Sequence, residues 1–429
     1  MNPGRRRQHS PIVRMLSPLR DFLDTEASGA VLLAVGAVTA LIWANTPWAS
    51  SYEHLWHSRA GISLAGHTLQ LDLRHWVNDG LMTIFFFVVG LEIKREVSDG
   101  HLASRRAAFL PGAAALGGML VPVGIYLAIA GSSAPRGWAI PMATDIALAV
   151  GVLAVAGDRI PASLRAFLLG LAIVDDVGAI FVIALVYSET VHLGWIVAGA
   201  SGVFATVALR RLGVYSTLAY VVIGAFVWLS LHEANVHPTM AGVAMGLLAP
   251  STPRLQPELI DIDALTDLSG VGAARETSQL ARGSISVVEW LQHVLHPWAS
   301  FAVVPIFALA NSGIEISIDG LGDAARSPIT WAVFFGLVAG KPLGVVAATG
   351  AATRRGFADR PDGAAPRQLL GVGAAAGIGF TVALFITELA FDDAGDRSNA
   401  KLAILLASIV AAAASSILLR SGTAERTES

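Results

Sequence analysis

Four charged residues stand deep inside apolar stretches of the sequence: Asp145, Asp175, Asp176 and Lys341. A charge at the centre of a membrane helix costs about 2.5–3.5 kcal/mol on insertion scales, so four unpaired ones cost roughly 10–14 kcal/mol. A structural salt bridge absorbs one acid with Lys341 and leaves two acids unexplained. Water or a cation must therefore reach the cluster during a working cycle. Asp175 and Asp176 are consecutive, and on a helix they project about 100° apart. One can meet Lys341 while the other faces an ion path, and the spacing does not choose between them. Close carboxylates titrate as a coupled set, and carboxylate and hydroxyl oxygens suit either protons or a hard cation. Thr144, beside Asp145, supplies such a hydroxyl. Competition between a proton and a cation for one site is the minimal chemistry of exchange.

The elements that must position these residues are read from the composition. Of 429 residues, 54% are hydrophobic and 14% charged, with a mean hydropathy of +0.62. Soluble domains carry about 25% charged residues, so the chain is predicted to be an all-α polytopic membrane protein forming one transmembrane domain over residues 1–429. Twelve spans are expected at roughly 28–46, 76–94, 108–130, 138–157, 165–187, 192–209, 214–231, 237–249, 290–312, 329–352, 368–391 and 401–419. The eighth is too short unless its ends are hydrated or it packs inside the bundle. The first is full length and follows a basic tail, so it reads as a transmembrane helix, not a cleaved signal. Of 29 Lys and Arg, 22 fall in the tails and one alternating set of loops, six (Arg59, Arg74, Arg136, Arg326, Arg397 and Lys401) in the other, outer set, and Lys341 within a span. That asymmetry places both tails, 1–24 and 421–429, in the cytoplasm. The net charge of −3 points to no nucleic-acid partner, and the lack of cysteine excludes disulfides and thiolate chemistry.

Two loops and two spans are distinctive. Ile62-Ser-Leu64 and Leu69-Gln-Leu71-Asp-Leu73 alternate about Ala65-Gly66, which predicts a β-hairpin over 59–74 on the outer face. The stretch 250–288, rich in Ser, Thr, Pro, Gly and acids, reads as a cytoplasmic linker. Pro141 lies one turn before Thr144-Asp145, and Gly371, Gly373, Gly377 and Gly379 crowd the eleventh span. Both are places where a helix breaks near mid-membrane, tolerated only where the backbone is buried or lines a cavity. Interrupted spans four and eleven, seven apart, would run in opposite directions, as inverted repeats of spans 3–5 and 10–12 require. The glycines also fit close helix packing through pairs such as Gly373/Gly377 or Gly336/Gly340. Two motifs fail. His232-Glu-Ala-Asn-Val-His237 has one residue too many for a zinc-protease motif, and Gly336-Leu-Val-Ala-Gly340-Lys341 is one short of a P-loop with Pro342 following.

Asn78-Asp-Gly-Leu-Met-Thr-Ile-Phe-Phe-Phe-Val-Val-Gly-Leu-Glu-Ile-Lys-Arg-Glu96, Ala143-Thr-Asp-Ile-Ala147, Leu171-Ala-Ile-Val-Asp-Asp-Val-Gly-Ala-Ile180, His293-Val-Leu-His-Pro-Trp298, Gly340-Lys-Pro-Leu-Gly344 and Gly377-Ile-Gly-Phe-Thr381 occur in order along the chain. Together they resemble the NhaA family of sodium/proton antiporters. The resemblance implies two crossing interrupted helices at spans four and eleven in a bacterial inner-membrane protein. It implies electrogenic extrusion of Na+ and Li+ against external H+, serving intracellular pH and sodium homeostasis, without a cofactor. By motif, Asp175 and Asp176 become the carboxylates of the ion site, Thr144 and Asp145 lie at the helix break, and Lys341 pairs with Asp175. Glu92, Arg95, Glu96, Glu289, His293 and His296 fall at the cytoplasmic mouth, where the family senses pH. His237 lies in the family's His-x-Thr-x-Ala-Gly block. A homodimer through the outer hairpin is the expected assembly. Gln292 stands where a Glu is expected, so one carboxylate of the pH-sensing set is missing here, and the 250–288 linker is longer than usual for the family.

Two other function classes remain to be weighed. A coupled transporter of organic anions would need cationic groups at midplane, and Lys341 alone is available. An intramembrane metal enzyme would draw on His293 and His296.

Overall fold

A backbone in hydrocarbon must satisfy its own N–H and C=O groups, so long apolar runs fold as helices. The structure is a computed structural model that describes residues 27–64, 67–100, 102–156, 160–188, 191–214, 216–252 and 285–421. The expected tail 1–24, nearly all of the linker 250–288 and all but the start of the tail 421–429 lie outside the described residues. Eight described helices are long and apolar enough to cross a bilayer, and ten if each of two bent pairs counts as one span. The chain is an all-α polytopic membrane protein.

Helix α1 (Ala27–Ala44) turns through 118° into α2 (Ala49–Trp56). Strands β1 (Arg59–Leu64) and β2 (His67–Asp72) follow, then α3 (Leu73–Ser98) and α4 (Arg105–Ala130). A 3₁₀ segment, Pro135–Met142, precedes α5 (Ile146–Ala156) and α6 (Ala162–Val186). Next come α7 (Leu193–Arg211), α8 (Thr217–Glu233), α9 (Thr239–Leu248), α10 (Val287–Asn311) and the short α11 (Ile318–Arg326). The last four are α12 (Pro328–Arg354), α13 (Pro366–Ala376), α14 (Phe380–Ala390) and α15 (Ala394–Ser421). Three of the long helices contain a π-helical turn, at Trp76–Leu81, Ala299–Val303 and Gly336–Gly340.

The strands pair antiparallel, with Arg59 opposite Asp72 and Ile62 opposite Leu69. The expected hairpin ended at residue 74, but the strands stop at Asp72. Its carboxylate accepts from the His75 N–H at 2.7 Å, capping a helix that already contains Leu73 and Arg74. Partial burial acts to raise the Asp72 pKa, but the hydrogen bonds from the His75 backbone and ring, with the charges of His75 and His57, outweigh it and hold the carboxyl below its ordinary range.

Connecting loops meet in two sets. At the hairpin end, Asn45 Nδ2 donates to the Ile314 carbonyl, the Tyr187 hydroxyl donates to the Arg136 carbonyl and the His192 N–H to the Ala234 carbonyl. At the other end, Ser163 donates to the Asp362 carbonyl and Arg106 lies 3.8 Å from Asp359. The ten-residue α9 is about 15 Å long, half a hydrocarbon core. It is stabilised by packing inside the bundle. A Cβ on Gly90 would sit 2.8 Å from the Val243 carbonyl, so glycine lets α3 and α9 touch backbone to backbone.

Candidate ion site

Two helix breaks meet at the centre of the molecule. The 3₁₀ segment, with Pro141 in its last turn, ends at Met142, the chain runs extended at Ala143, and α5 starts afresh at Ile146. Opposite it, α13 ends at Ala376 and α14 begins at Phe380, with a bend of 42° between them. The two gaps are joined by hydrogen bonds. The Asp145 N–H donates to the Ile378 carbonyl at 2.6 Å, and the Thr144 hydroxyl donates to the Ala376 carbonyl at 2.8 Å. The Asp145 carboxylate accepts from Leu148 N–H at 3.0 Å in its own helix. Across the crossing it accepts from Thr381 N–H at 3.0 Å and Thr381 Oγ1 at 2.7 Å. One buried carboxylate thus serves two helix N-termini, whose partial positive charges and unpaired N–H groups favour an anion there.

The lysine is placed by a third element. The π turn Gly336–Gly340 ends at Lys341, whose residue is completely buried. A Cβ on Gly336 would sit 2.6 Å from Pro141, and one on Gly340 would sit 2.9 Å from Pro122 Cα. These glycines do pack helices closely, and that packing carries α12 to the break at residues 143–145. Lys341 Nζ donates to Asp175 at 2.6 Å and to the Thr144 hydroxyl at 2.9 Å. The sequence left open which aspartate meets the lysine. It is Asp175, whose second oxygen, Oδ1, has no hydrogen-bond partner among the described residues.

Asp176, one residue on, is also buried, at 6% exposure, but no hydrogen bond among the described residues engages its carboxylate. Asp175, Glu92, Asp145 and Lys341 all lie within electrostatic reach of it. Among the described residues no three His, Asp or Glu side chains converge as metal ligands. The reason is visible in the partners: Asp145 holds helix ends and Asp175 holds Lys341. Asp176 is the one of the three aspartates whose carboxylate no hydrogen bond among the described residues commits.

The residues read as the mouth lie on two packed helices at the end away from the hairpin. Glu92, Arg95 and Glu96 are in the last turns of α3, and Glu289, His293 and His296 are in the first part of α10. Ser286 caps α10 by accepting from Glu289 N–H at 3.1 Å. Gln292 points inward, buried with its Oε1 unpartnered, whereas Glu289, His293 and His296 are exposed. The failed motif is explained by packing: His232 stacks on Trp228, and His237 meets Phe385 edge-on.

Sequence reasoning missed a second buried charge cluster and misplaced one of its members. Lys401 was read as belonging to an outer loop, but it lies in α15, 7% exposed, with Nζ 2.5 Å from Glu388. Arg397 adds a contact of 3.6 Å to the same carboxylate. The readable signal was Glu388 itself, an acid within the apolar run of the eleventh span. Thr381 and the reciprocal amide pair of Asn78 and Asn311, at 2.8 Å, were likewise given no role.

The family model of Na+/H+ antiporter 1 matches residues 20–419. The Na(+)/H(+) antiporter NhaA 2 of Myxococcus xanthus is 46% identical over 418 residues, which cover 94% of this chain and 89% of that protein. A protein of the same name from Sorangium cellulosum is 44% identical, covering 93% and 88%. The Na(+)/H(+) antiporter NhaA of Oleidesulfovibrio alaskensis is 40% identical, covering 96% and 95%.

Proposed function

Because the chain belongs to the Na+/H+ antiporter 1 family, the NhaA antiporters, we propose that it extrudes Na+ and Li+ across a bacterial inner membrane in exchange for external H+, electrogenically and by alternating access. The observation that carries the reading is the unequal treatment of two consecutive acids. Asp175 is held by Lys341, and no hydrogen bond or ion pair among the described residues holds Asp176. In the inward-open state a sodium ion displaces two protons, one from Asp176, its principal carboxylate, and one held by the Asp175–Lys341 pair, with Thr144 as a further oxygen ligand. When sodium displaces the proton of Asp176, the Asp175–Lys341 pair is the neighbouring charge that must adjust. After the site reopens outward, sodium leaves and external protons reload it. Exchange of two protons for one monovalent cation moves net charge, so the membrane potential drives the cycle.

Several wider features support the same reading. Eight long helices, two bent pairs and two shorter apolar helices fit a twelve-span count. The crossing of the 143–145 and 377–379 breaks fits inverted repeats of spans 3–5 and 10–12. In this reading the hairpin end is periplasmic, both termini and the 250–288 linker are cytoplasmic, and 1–429 is a single transmembrane domain. Glu92, Arg95, Glu96, Glu289, His293 and His296 then line the cytoplasmic mouth and modulate activity with pH.

The test is proton movement in empty vesicles reconstituted with the purified protein. Sodium and lithium should each drive proton flux and potassium should not, with a rate that responds to an imposed potential. Flux with potassium equal to that with sodium, or no response to the potential, would overturn the reading.

A further inference from the structure

The face of α12 opposite Lys341 carries a feature that ion exchange does not use. Lys341, Val345, Thr349 and Ala352 line the buried side of this helix, whereas Leu343, Ala347, Gly350 and Arg354 recur at i, i+4, i+7 and i+11 on the open side. Ala347, Gly350 and Arg354 of this open stripe form one wall of a cavity of about 370 Å3, a ligand-sized volume. Val346 and Ala351 add to the same wall, and Pro361, Ala364, Pro366 and Leu369 close the other side. The lining is apolar apart from Arg354 and Arg360. Neither arginine has an acidic partner among the described residues. Of the acids in the same loop, Asp359 lies 3.8 Å from Arg106, and Asp362 engages Ser163 through its backbone carbonyl. The eleven-residue α13 starts beside the arginines, with no acidic residue in its first turn and Arg367 at its second position. Gln368 Oε1 already caps the Ala365 N–H at 3.1 Å, so only the helix dipole adds to the arginines. A Cβ on Gly350 would meet nothing within 4 Å, so this glycine leaves room instead of permitting close packing.

We infer that this slot binds one anionic glycerophospholipid of the adjoining leaflet. Its phosphate lies between Arg354, Arg360 and the α13 N-terminus, and the start of an acyl chain lies along Leu343, Ala347 and Gly350. Apolar walls suit the chain, and two unpaired guanidinium groups at the membrane surface suit the phosphate. The inference rests only on α12 and α13 spanning the membrane, so it stands or falls apart from the ion chemistry.

Arg354 also balances the dipole at the C-terminus of α12, so stability alone is no test. The purified protein in mild detergent is titrated with phosphatidylglycerol or with phosphatidylcholine of the same chains. Bound lipid is counted by native mass spectrometry, and thermal unfolding is followed in parallel. Wild type should retain one phosphatidylglycerol that phosphatidylcholine does not replace, with a rise in Tm. Arg354→Ala and Arg360→Ala should each weaken retention about fivefold, the contribution of one basic residue at an anionic surface. Gly350→Leu keeps both arginines and fills the slot, so it should remove the bound lipid while the unliganded Tm holds. Equal retention of the two lipids, or unchanged retention in Gly350→Leu, overturns the proposal. A thermal shift from inorganic phosphate alone that Gly350→Leu does not abolish also overturns it, because the site is then an anion site without a lipid slot. Sodium-driven proton flux measured on the same samples reports separately on the ion site.

Discussion

A fully buried ammonium 2.6 Å from a fully buried carboxylate is weak evidence for stability, because desolvation offsets most of the attraction, but removing one partner is costly. That asymmetry separates the two central aspartates. Asp176→Asn keeps the shape of the site but can neither hold a proton nor neutralise an ion. It should abolish or severely cut sodium-driven proton flux and leave thermal unfolding close to wild type. Near-normal exchange in this variant would sink the proposed site. Asp175→Asn should also lose exchange, but it leaves Lys341 buried without a counter-ion and should destabilise by about 3–5 kcal/mol. Equal melting temperatures for the two variants would contradict the pairing. The sequence made these residues legible because charge in an apolar run is expensive and four charges without enough partners demand a reason. It could not tell Asp175 from Asp176, since a 100° separation is symmetrical until the position of the lysine is known.

Asp145 acts at the scale of elements, because its carboxylate binds the starts of both α5 and α14. Asparagine caps helices about as well as aspartate, whereas alanine does not, at about 1 kcal/mol for each lost cap. Leu148 N–H bonds one carboxylate oxygen and Thr381 the other, and asparagine keeps only one acceptor. Asp145→Asn should therefore lose one cap, about 1 kcal/mol, and Asp145→Ala should lose both, about 2 kcal/mol or more, by thermal unfolding. Identical melting of the two would show that the crossing is held by backbone alone. The second cluster joins α14 to α15 through Glu388, Lys401 and Arg397. Glu388→Gln strands a buried lysine and should destabilise by about 3–5 kcal/mol, whereas Glu388→Gln combined with Lys401→Met should recover much of that loss. A double variant no more stable than Glu388→Gln, measured by chemical unfolding, would remove the pair as the cause. Breaks were readable from Pro141 and from the glycines of the eleventh span, because proline lacks an N–H and glycine tolerates irregular backbone. The same glycines read equally as packing positions, and at Gly377 both readings hold: it ends α13, and its Cβ would sit 2.5 Å from the Leu337 carbonyl. The 118° turn after α1, the short α11 and the internal burial of α9 depend on which helices become neighbours, and no local period encodes that. Lys401 was misplaced for the same reason, since only the position of Glu388 makes a buried lysine affordable there.

At the scale of the whole molecule, the hairpin and the ion site lie apart, so assembly and transport should separate. Strand β1 pairs only with β2 among the described residues, and its free edge offers a template for a second copy. Deleting residues 62–73 should weaken a homodimer on dilution in mild detergent without stopping proton flux, and a deletion variant that stays dimeric would place the interface elsewhere. The lowered pKa of Asp72 gives this region a sign with pH. Its stabilising contribution is complete above the ordinary carboxylate value near 4 and is lost as pH falls through the lower folded-state value. Dimer retention should thus be flat from neutral pH to about 4.5 and fall only below it; a loss already near pH 6 would show that Asp72 does not set it. Transport should depend on pH over a different range and for a different reason. In the proposed cycle sodium and protons compete for the same carboxylates, so lowering pH should raise the apparent Michaelis constant for sodium, and saturating sodium should largely restore the rate. A separate sensor at the mouth would add a loss that sodium cannot rescue. Its imidazoles, His293 and His296, are exposed on α10, but the inward position beside them is the neutral Gln292, which cannot hold a proton or stabilise a charged imidazole. Competition should therefore dominate. Maximal velocity at saturating sodium should change little between about pH 8 and 6.5, a range chosen to include the ordinary imidazole pKa. A steep fall over that range would show a switch acting apart from the ion site, and Gln292→Glu should then steepen it further.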